Sequence, residues 1–517
     1  MHALPHPLAA FTRTRPDHLA LRFGDATWSA AALLRAVLPA AGALAERGVG
    51  PGDRVALVGP PGPAWVIALH ALGWRGASVL PVDPREPAVG RALRLRLAAH
   101  RLDLDDPLTC PWDHTIAATD RDLAAALAAP PTWPLDQERA LLFTSGTTGD
   151  PRPVPLTTAQ LFFAAVGGAI HLGHHLDDAW HACLAPWHVG GLSILLRTAW
   201  CQTTLDLAPA FDPAALSAAL DAGHVTQLSL VPTMLRRLVE ARRGRPFPST
   251  LRWILLGGSA PDEADIAAAE ALGATVCTTW GMTESAAQVV TRSPARPREP
   301  GVVGTALPFV QVSARGERLV LSGPQIDGPE GELVTQDRGE VRASGDVIVH
   351  GRADRVVISG GRNIDPAAVE RVLLQHPAVA HAHVRGLDDP RLGQALVAFI
   401  APRDPAPADL ARFAAARLHP HDRPRHWALV RAIPIGAAGK VSAADSASLL
   451  AHLEAQRAQL AEEPGGRVDR PETTRPRERH ERVHVLDVGV PDIVGPLDRE
   501  ADPQPPLAER EPLDPHA

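Results

Sequence analysis

The stretch LLFTSGTTGDPRPVPLT runs an apolar strand into a cluster of hydroxyls and glycines: Thr144, Ser145, Gly146, Thr147, Thr148 and Gly149, with Arg152 beyond. Hydroxyls and unencumbered backbone N–H groups packed this closely form a nest for phosphate oxygens, and glycines let the main chain approach the ligand. The run is not the GxxxxGK[ST] phosphate loop, because no Lys-Ser/Thr pair follows. On its own, such a turn is a plain loop more often than a site. A second stretch, TTWGMTESAAQ, sets Thr283 and Glu284 directly after a strand and an aromatic residue, Trp280. A carboxylate and a hydroxyl at a strand end can hold Mg2+ together with a phosphate oxygen, since Mg2+ takes one or two carboxylates plus substrate phosphates. A third, ASGDVIVHGRADRVVISGGRNIDP, supplies Asp346, an acceptor pair for sugar hydroxyls, then Arg352 and the backbone-exposing run Ser359, Gly360, Gly361.

Lys440, in IPIGAAGKVSAAD, is the only lysine of the chain; every other cationic side chain of the Lys/Arg pair is arginine. Tyrosine is absent and Asn363 is the only asparagine, as a GC-rich coding sequence would give. A lysine that survives this drift marks a place where a compact ammonium on a flexible stem is needed and a planar fork is not accepted.

These residues need a scaffold. From about residue 18 to 430 short apolar runs alternate with helical segments. DRVALVG, ASVLPVD, RALLFTS, TQLSLVP, LRWILLGG and ATVCTTWG read as buried strands. SAAALLRAVLPAAGALAERG and PAWVIALHALGWRG have helical period and end in glycine. The alternation predicts an α/β protein with mostly parallel sheets and flanking helices. Near residue 305 the texture changes to short alternating strands with Gly-rich turns, which predicts a small antiparallel module. DPAAVERVLLQHPAVAHAHVRGLDDPRLGQALVAFIAP then reads helix, strand, turn, strand. The expected division is 1–353, 354–450, and a tail, 451–517, that is the end of a helix followed by disorder. The tail is rich in Pro, Arg, Asp and Glu and cannot bury enough apolar surface to offset its ordering entropy.

Composition narrows the function. A net charge of -7 argues against nucleic acid or a membrane surface as the main partner. No run of about 18 apolar residues suggests a membrane span. The opening MHALPHPLAAFTRTRPDH lacks the pattern of a secretory leader, and the four scattered cysteines have neither metal-ligand spacing nor a disulfide framework. A reducing cytoplasm is the expected location.

Taken together and in this order, the motifs closely resemble those of the adenylate-forming superfamily of acyl-CoA synthetases, peptide-synthetase adenylation domains and luciferases, over roughly residues 15 to 450. The resemblance implies a large N-terminal domain and a small mobile α+β C-terminal domain. It also implies two half-reactions: a carboxylate and ATP give an acyl-adenylate and pyrophosphate, then the thiol of coenzyme A displaces AMP. Thr144 to Gly149 with Arg152 would cover the β- and γ-phosphates, with arginine where the family usually has lysine. Gly257, Gly258, Ser259, Ala260 and Pro261 would line the adenine. Trp280 would stand for the usual tyrosine beside it, followed by Gly281 and Met282. Thr283 would touch phosphate, Glu284 would hold Mg2+, and Asp346 and Arg352 would bind the ribose. Asp354 falls on the hinge position, although Arg355 replaces the acidic residue that often follows. Lys440 falls on the catalytic lysine, bridging the incoming carboxylate and the α-phosphate. Rotation of the small domain would withdraw it and bring Ser359, Gly360, Gly361 and Asn363 to the CoA thiol arm. A homodimer is left open.

The segment CLAPWHVGGLSILLRTAW bears on the acid. HVGGLSILLR, LLGGSAP and WGMTESAAQ look most like the 2-succinylbenzoate-CoA ligases of menaquinone biosynthesis. That resemblance implies Arg197 as the partner of the acid's second carboxylate, with Ser193 and Gln288 nearby. His188 would wall or gate the acyl pocket and, with Thr283, Glu284 and Lys440, completes the candidate catalytic set. The alternatives are a general aryl- or medium-chain acyl-CoA synthetase and a nucleotide-binding regulator without turnover. No carrier-protein segment follows residue 450, which counts against a peptide-synthetase module.

Overall fold

The structure is a computed structural model. It describes residues 2–86, 88–105, 117–144, 152–326, 328, 331–359, 362–389, 391–403, 409–434, 441, 445–451 and 453. Ser145 to Gly149, Gly360, Gly361, Lys440 and the expected disordered tail lie outside the described residues, as do the side chains of Asp354 and Asn363.

One sheet orders its strands as His100–Asp103, Arg54–Val58, Ser78–Val82, Glu138–Thr144 and Arg152–Thr157. All pair parallel except the last, which returns antiparallel from Glu138–Thr144. A second sheet, of 13 strands, has a parallel centre running Leu19–Phe23, Thr204–Leu207, Ala179–Ala182, Gln227–Leu230, Trp253–Leu256, Val276–Met282. Its central strands are buried along their length, as strands covered by helices on both faces must be. The helix Ala30–Glu46 starts at Ser29, whose hydroxyl accepts the Ala32 N–H at 3.2 Å. Pro39 lies inside it without ending it, because Leu33, Leu34, Val37, Ala40 and Leu44 anchor one face in the core. A Thr157/Gln160 capping box starts the helix Thr158–Leu172.

The expected antiparallel module is not separate. Ala287–Thr291 turns back on Val276–Met282, and Gly304–Ala306, Asp346–Arg352, Glu332–Val341, Arg318–Ser322 and Gln311–Arg315 extend the same sheet antiparallel. The physical reason is an open edge: Val276–Met282 ends the parallel run, and only a tight reversal can satisfy its outer N–H and C=O groups. The segments that carry Trp280 and Arg352 thereby share one sheet.

The C-terminal unit forms its own sheet from Val357–Ser359, Arg362–Ile364, Val379–Asp389, Gly393–Pro402 and His426–Leu429. Helices Pro366–Leu373 and Leu410–Arg417 cover it, and Val369, Leu373, Val384, Leu396, Ile400, Leu410 and Trp427 make its core. The predicted helix–strand–turn–strand order is what forms here.

Candidate active site

In open α/β sheets, ligands sit beyond the carboxyl ends of parallel strands. Here three motif segments leave such ends: Gly257 to Pro261 after Trp253–Leu256, Trp280 to Glu284 from Val276–Met282, and the segment to His188 after Ala179–Ala182.

Thr144 stands opposite Arg152 in the hairpin of the first sheet, so the residues flanking the hydroxyl- and glycine-rich run are side by side. The 3-10 turn Thr283–Ser285 packs against both strands of that hairpin. Thr283 and Glu284 are thereby brought beside it from the other sheet. Among the described residues no cation pairs with Glu284. Its turn is closely specified. The Met282 N–H donates to Ser285 Oγ at 3.2 Å, and Ala286 and Ala287 follow at φ 54° and 87°. This left-handed region costs a residue with a side chain roughly 1–2 kcal/mol. Gly281 is demanded by the same fold, because a Cβ there would fall 1.5 Å from the Ala287 carbonyl oxygen.

Trp280 donates its indole N–H to Asp337 Oδ2 at 3.0 Å, and Asp337 lies opposite Arg352 in the sheet. Trp280 is thus tied, through Asp337, to the strand that starts at Asp346 and ends at Arg352. Asp346 is not a free acceptor pair: Oδ1 accepts from Arg296 Nη1 at 3.1 Å and Oδ2 from Ser344 Oγ at 2.7 Å. Asp337 and Arg296 escaped the sequence reading. They sit far along the chain from the residues they hold, and nothing local marks them.

His188 starts the helix Val189–Cys201, and Gly191 allows the close approach, since a Cβ there would meet the Ala185 carbonyl oxygen at 2.2 Å. Burial holds the His188 imidazole below its ordinary pKa; nearby Asp83 opposes this, and Arg94 and Arg85 reinforce it. Ser193 donates its hydroxyl to the Gly190 carbonyl at 3.0 Å. Arg197, on the same helix, is only 3% exposed. Its Nη1 donates to Gln288 Oε1 at 3.0 Å, its guanidinium lies 5.0 Å from the Trp180 ring centroid, and its Nε has no partner. Among the described residues no carboxylate pairs with it, and burial lowers its pKa to about 10. Gln288 in turn donates Nε2 to Thr291 Oγ1 at 2.7 Å. Trp180 and Thr291 are further residues the spacing of the motifs did not reveal.

Ser359 is buried and pairs opposite Arg362, with Asn363 in the same short strand. Asp354 lies in the turn Ala353–Arg355, whose Arg355 Nη2 donates to Glu370 Oε1 at 2.6 Å. Arg355, at the position where the family often has an acid, is therefore bound into the C-terminal unit.

Residues 8–342 match the family described as AMP-binding enzyme, and residues 368–440 match the AMP-binding enzyme C-terminal domain. A 2-succinylbenzoate–CoA ligase of Geobacillus kaustophilus (strain HTA426) is 31% identical over 476 residues, covering 85% of this chain and 97% of that protein. Its counterpart in Bacillus cereus (strain ATCC 10987 / NRS 248) is 30% identical over 481 residues, covering 85% and 98%. Among solved structures, the O-succinylbenzoate CoA synthetase (MenE) of Bacillus subtilis in complex with the acyl-adenylate intermediate OSB-AMP superposes with a TM-score of 0.77. The two chains are 27% identical, over 86% of this chain and 98% of that one. The same enzyme with ATP and magnesium ion gives 0.76, also at 27% identity, over 86% and 99%. With its N-terminal match covering more than half of its length, its C-terminal match beside it, and three of its motif segments leaving the carboxyl ends of parallel strands, the chain belongs to the AMP-binding enzyme family and has its adenylate-forming fold of a large N-terminal and a smaller C-terminal domain.

Proposed function

We propose that the protein is an ATP-dependent 2-succinylbenzoate–CoA ligase, which converts that acid through an acyl-adenylate to 2-succinylbenzoyl-CoA for menaquinone biosynthesis. One observation carries the choice of acid: Arg197 is a buried guanidinium with no carboxylate partner among the described residues, presented beside Gln288. A buried site built to pair a charge rejects analogues that lack it, because the arginine is then left unpaired. The similar proteins that carry this name support the same reading.

In the first half-reaction the succinyl-chain carboxylate attacks the α-phosphorus of ATP and pyrophosphate leaves, while the ring carboxylate stays paired with Arg197. The residues present fit Mg2+: Glu284 offers a carboxylate that no described cation claims, and Thr283 offers a hydroxyl beside it. Mg2+ bound there neutralises phosphate charge. Thr144 to Gly149 and Arg152 hold the leaving phosphates, and an arginine fork suits them by its bidentate hydrogen bonding. Gly257 to Pro261, Trp280, Gly281 and Met282 seat the adenine; Arg352 and Asp337, which stand opposite each other in the sheet, take the ribose hydroxyls in place of Asp346, whose oxygens are held by Arg296 and Ser344. Lys440 stabilises charge as it moves between carboxylate and α-phosphate. His188 and Ser193 wall the acyl pocket. In the second half-reaction the small domain, 354–450, turns about Asp354, withdraws Lys440 and presents Ser359, Gly360, Gly361 and Asn363 to the pantetheine arm. The CoA thiol attacks the acyl carbon, and AMP leaves with the mixed-anhydride oxygen.

Its substrates place it in the cytoplasm, where ATP and CoA are available; among the described residues no helix is long and apolar enough to cross a membrane. Any homodimer would be read by light scattering.

The test is incubation of the purified protein with ATP, Mg2+, CoA and either 2-succinylbenzoate or benzoate, with AMP and acyl-CoA followed by mass spectrometry. Thioester from the first acid alone is the expected result. Equal product from both would replace this reading with a general aryl-CoA ligase, and product from neither would leave a nucleotide-binding protein without turnover.

A further inference from the structure

The segment from Thr283 to Gln288 carries both the carboxylate assigned to Mg2+ and the amide that meets Arg197, yet its backbone is costly. Ala286 and Ala287 occupy positive φ in succession. Such a conformation persists only where surrounding contacts over-determine it. One side chain from elsewhere does this. Gln325 is fully buried, and its amide nitrogen donates to the Ser285 carbonyl at 3.1 Å and to the Gln288 carbonyl at 2.8 Å. The two hydrogens of one NH2 group thus bracket the strained pair from both ends. Gln325 is itself fixed by a tight turn: the Ile326 N–H donates to the Gly323 carbonyl at 2.9 Å, and Ile326 packs into the core with Val289 and Val290.

We infer that Gln325 is a positioning residue that sets the Mg2+ carboxylate of Glu284 and the Arg197–Gln288 pair in one mutual geometry. The inference rests on the functional reading above, because it takes those two groups as the nucleotide and acid subsites. Its physical content is specific. Only a neutral side chain with two hydrogens on one atom can serve both carbonyls at this depth. An apolar replacement leaves two buried acceptors without donors, each of which can then rotate away. A shift of about 1 Å at the segment is enough to lower a rate roughly 100-fold. Both subsites must suffer together, although Gln325 is assigned no contact with either substrate.

The experiment compares the full chain with Gln325→Met, Gln325→Asn and Thr204→Val. Thr204 is a buried control in the same sheet, at the amino end of its strand, whose hydroxyl donates to the Leu19 carbonyl at 2.7 Å. Mg·ATP affinity is read by calorimetry without acid, and kcat and KM for ATP and for 2-succinylbenzoate are corrected for the active fraction from a single-turnover burst. For Gln325→Met we expect Mg·ATP affinity about 10-fold weaker, both KM values raised about as much, and kcat down by about 100-fold. Thr204→Val should keep wild-type constants in its active fraction. Gln325→Asn should fall at least as far as one subsite, because its amide is one methylene too short to span both carbonyls. A smaller active fraction with unchanged affinity and KM values would overturn the inference, as would failure of both Gln325 variants to fold while Thr204→Val folds. Should the wild-type chain form no thioester from this acid, the functional reading fails, and the Mg·ATP affinity still decides on Gln325.

Discussion

Arg197 Nη1 donates to Gln288 Oε1 at 3.0 Å, a charged donor given a neutral amide in a site sealed from water. Burial lowers the guanidinium's pKa to about 10 against a smaller opposing effect of Cys201, and no carboxylate among the described residues pairs with it. An acid bearing a second carboxylate would supply the missing charge. Arg197→Gln should raise the KM for 2-succinylbenzoate by roughly 100-fold or more, since truncating one partner of a buried charge pair costs about 2–5 kcal/mol. Initial rates over an acid titration check this. The KM for ATP should stay within a few-fold, and equal losses for both substrates would point to collapse of the pocket instead.

Lys440→Ala should lower adenylate formation by about 100- to 1,000-fold or more, the size of one removed transition-state donor. Thioester formation from presynthesised acyl-adenylate and CoA should change little, because the proposed rotation of the small domain withdraws the lysine before that step. Separate assays of the two half-reactions read the difference. Lys440→Arg should rescue adenylation only weakly, as the fork is wider than the ammonium.

The Trp280 indole is held by Asp337, which stands opposite Arg352. Trp280→Phe keeps a ring for the adenine but frees the Asp337 carboxylate. Calorimetric titration of ATP should show affinity lower by about 5- to 10-fold. Trp280→Ala, which also loses the stacking surface, should fall further.

Away from the site, His6 and His70 form a fully buried pair: His6 Nε2 lies 3.1 Å from the His70 carbonyl oxygen. Burial holds His70 down to about 4, and burial with the neighbouring His70 charge holds His6 well below 6.5. Unfolded, both titrate near 6.5. The unfolded chain therefore binds more protons in this window, so the stability these groups allow is complete above about pH 6.5 and is lost as pH falls toward about 4. By pH 5.5 the loss for His70 is about 1 kcal/mol. Thermal unfolding from pH 7 to 5.5 should show a falling Tm, and His70→Leu should flatten that slope.

Legibility in the sequence followed the range of the interaction. The strands Arg54–Val58, Ser78–Val82 and Trp253–Leu256 and the helices Ala30–Glu46 and Pro63–Arg75 were readable because a buried strand or an amphipathic helix writes its pattern over neighbouring residues. Thr144 and Arg152 were readable as flanks of one loop for the same reason. The antiparallel strands from Gln311 to Arg352 were also readable, but not their sheet, because nothing local tells a strand which edge it will complete. Asp346 looked like an open acceptor until Arg296, fifty residues away, proved to hold it.

The sequence by itself determined the chemistry on offer: a lone lysine among arginines, a hydroxyl- and glycine-rich turn, and a carboxylate after an aromatic strand end, each set by side-chain types a few residues apart. Only the tertiary structure decided which of these meet. The burial of Arg197, its pairing with Gln288, the anchoring of Trp280 by Asp337 and the bracket of Gln325 around two strained alanines all join residues from different strands and helices. Dehydration of a charge and alignment of a donor depend on what the rest of the chain places around them, and that is fixed only when the layers pack.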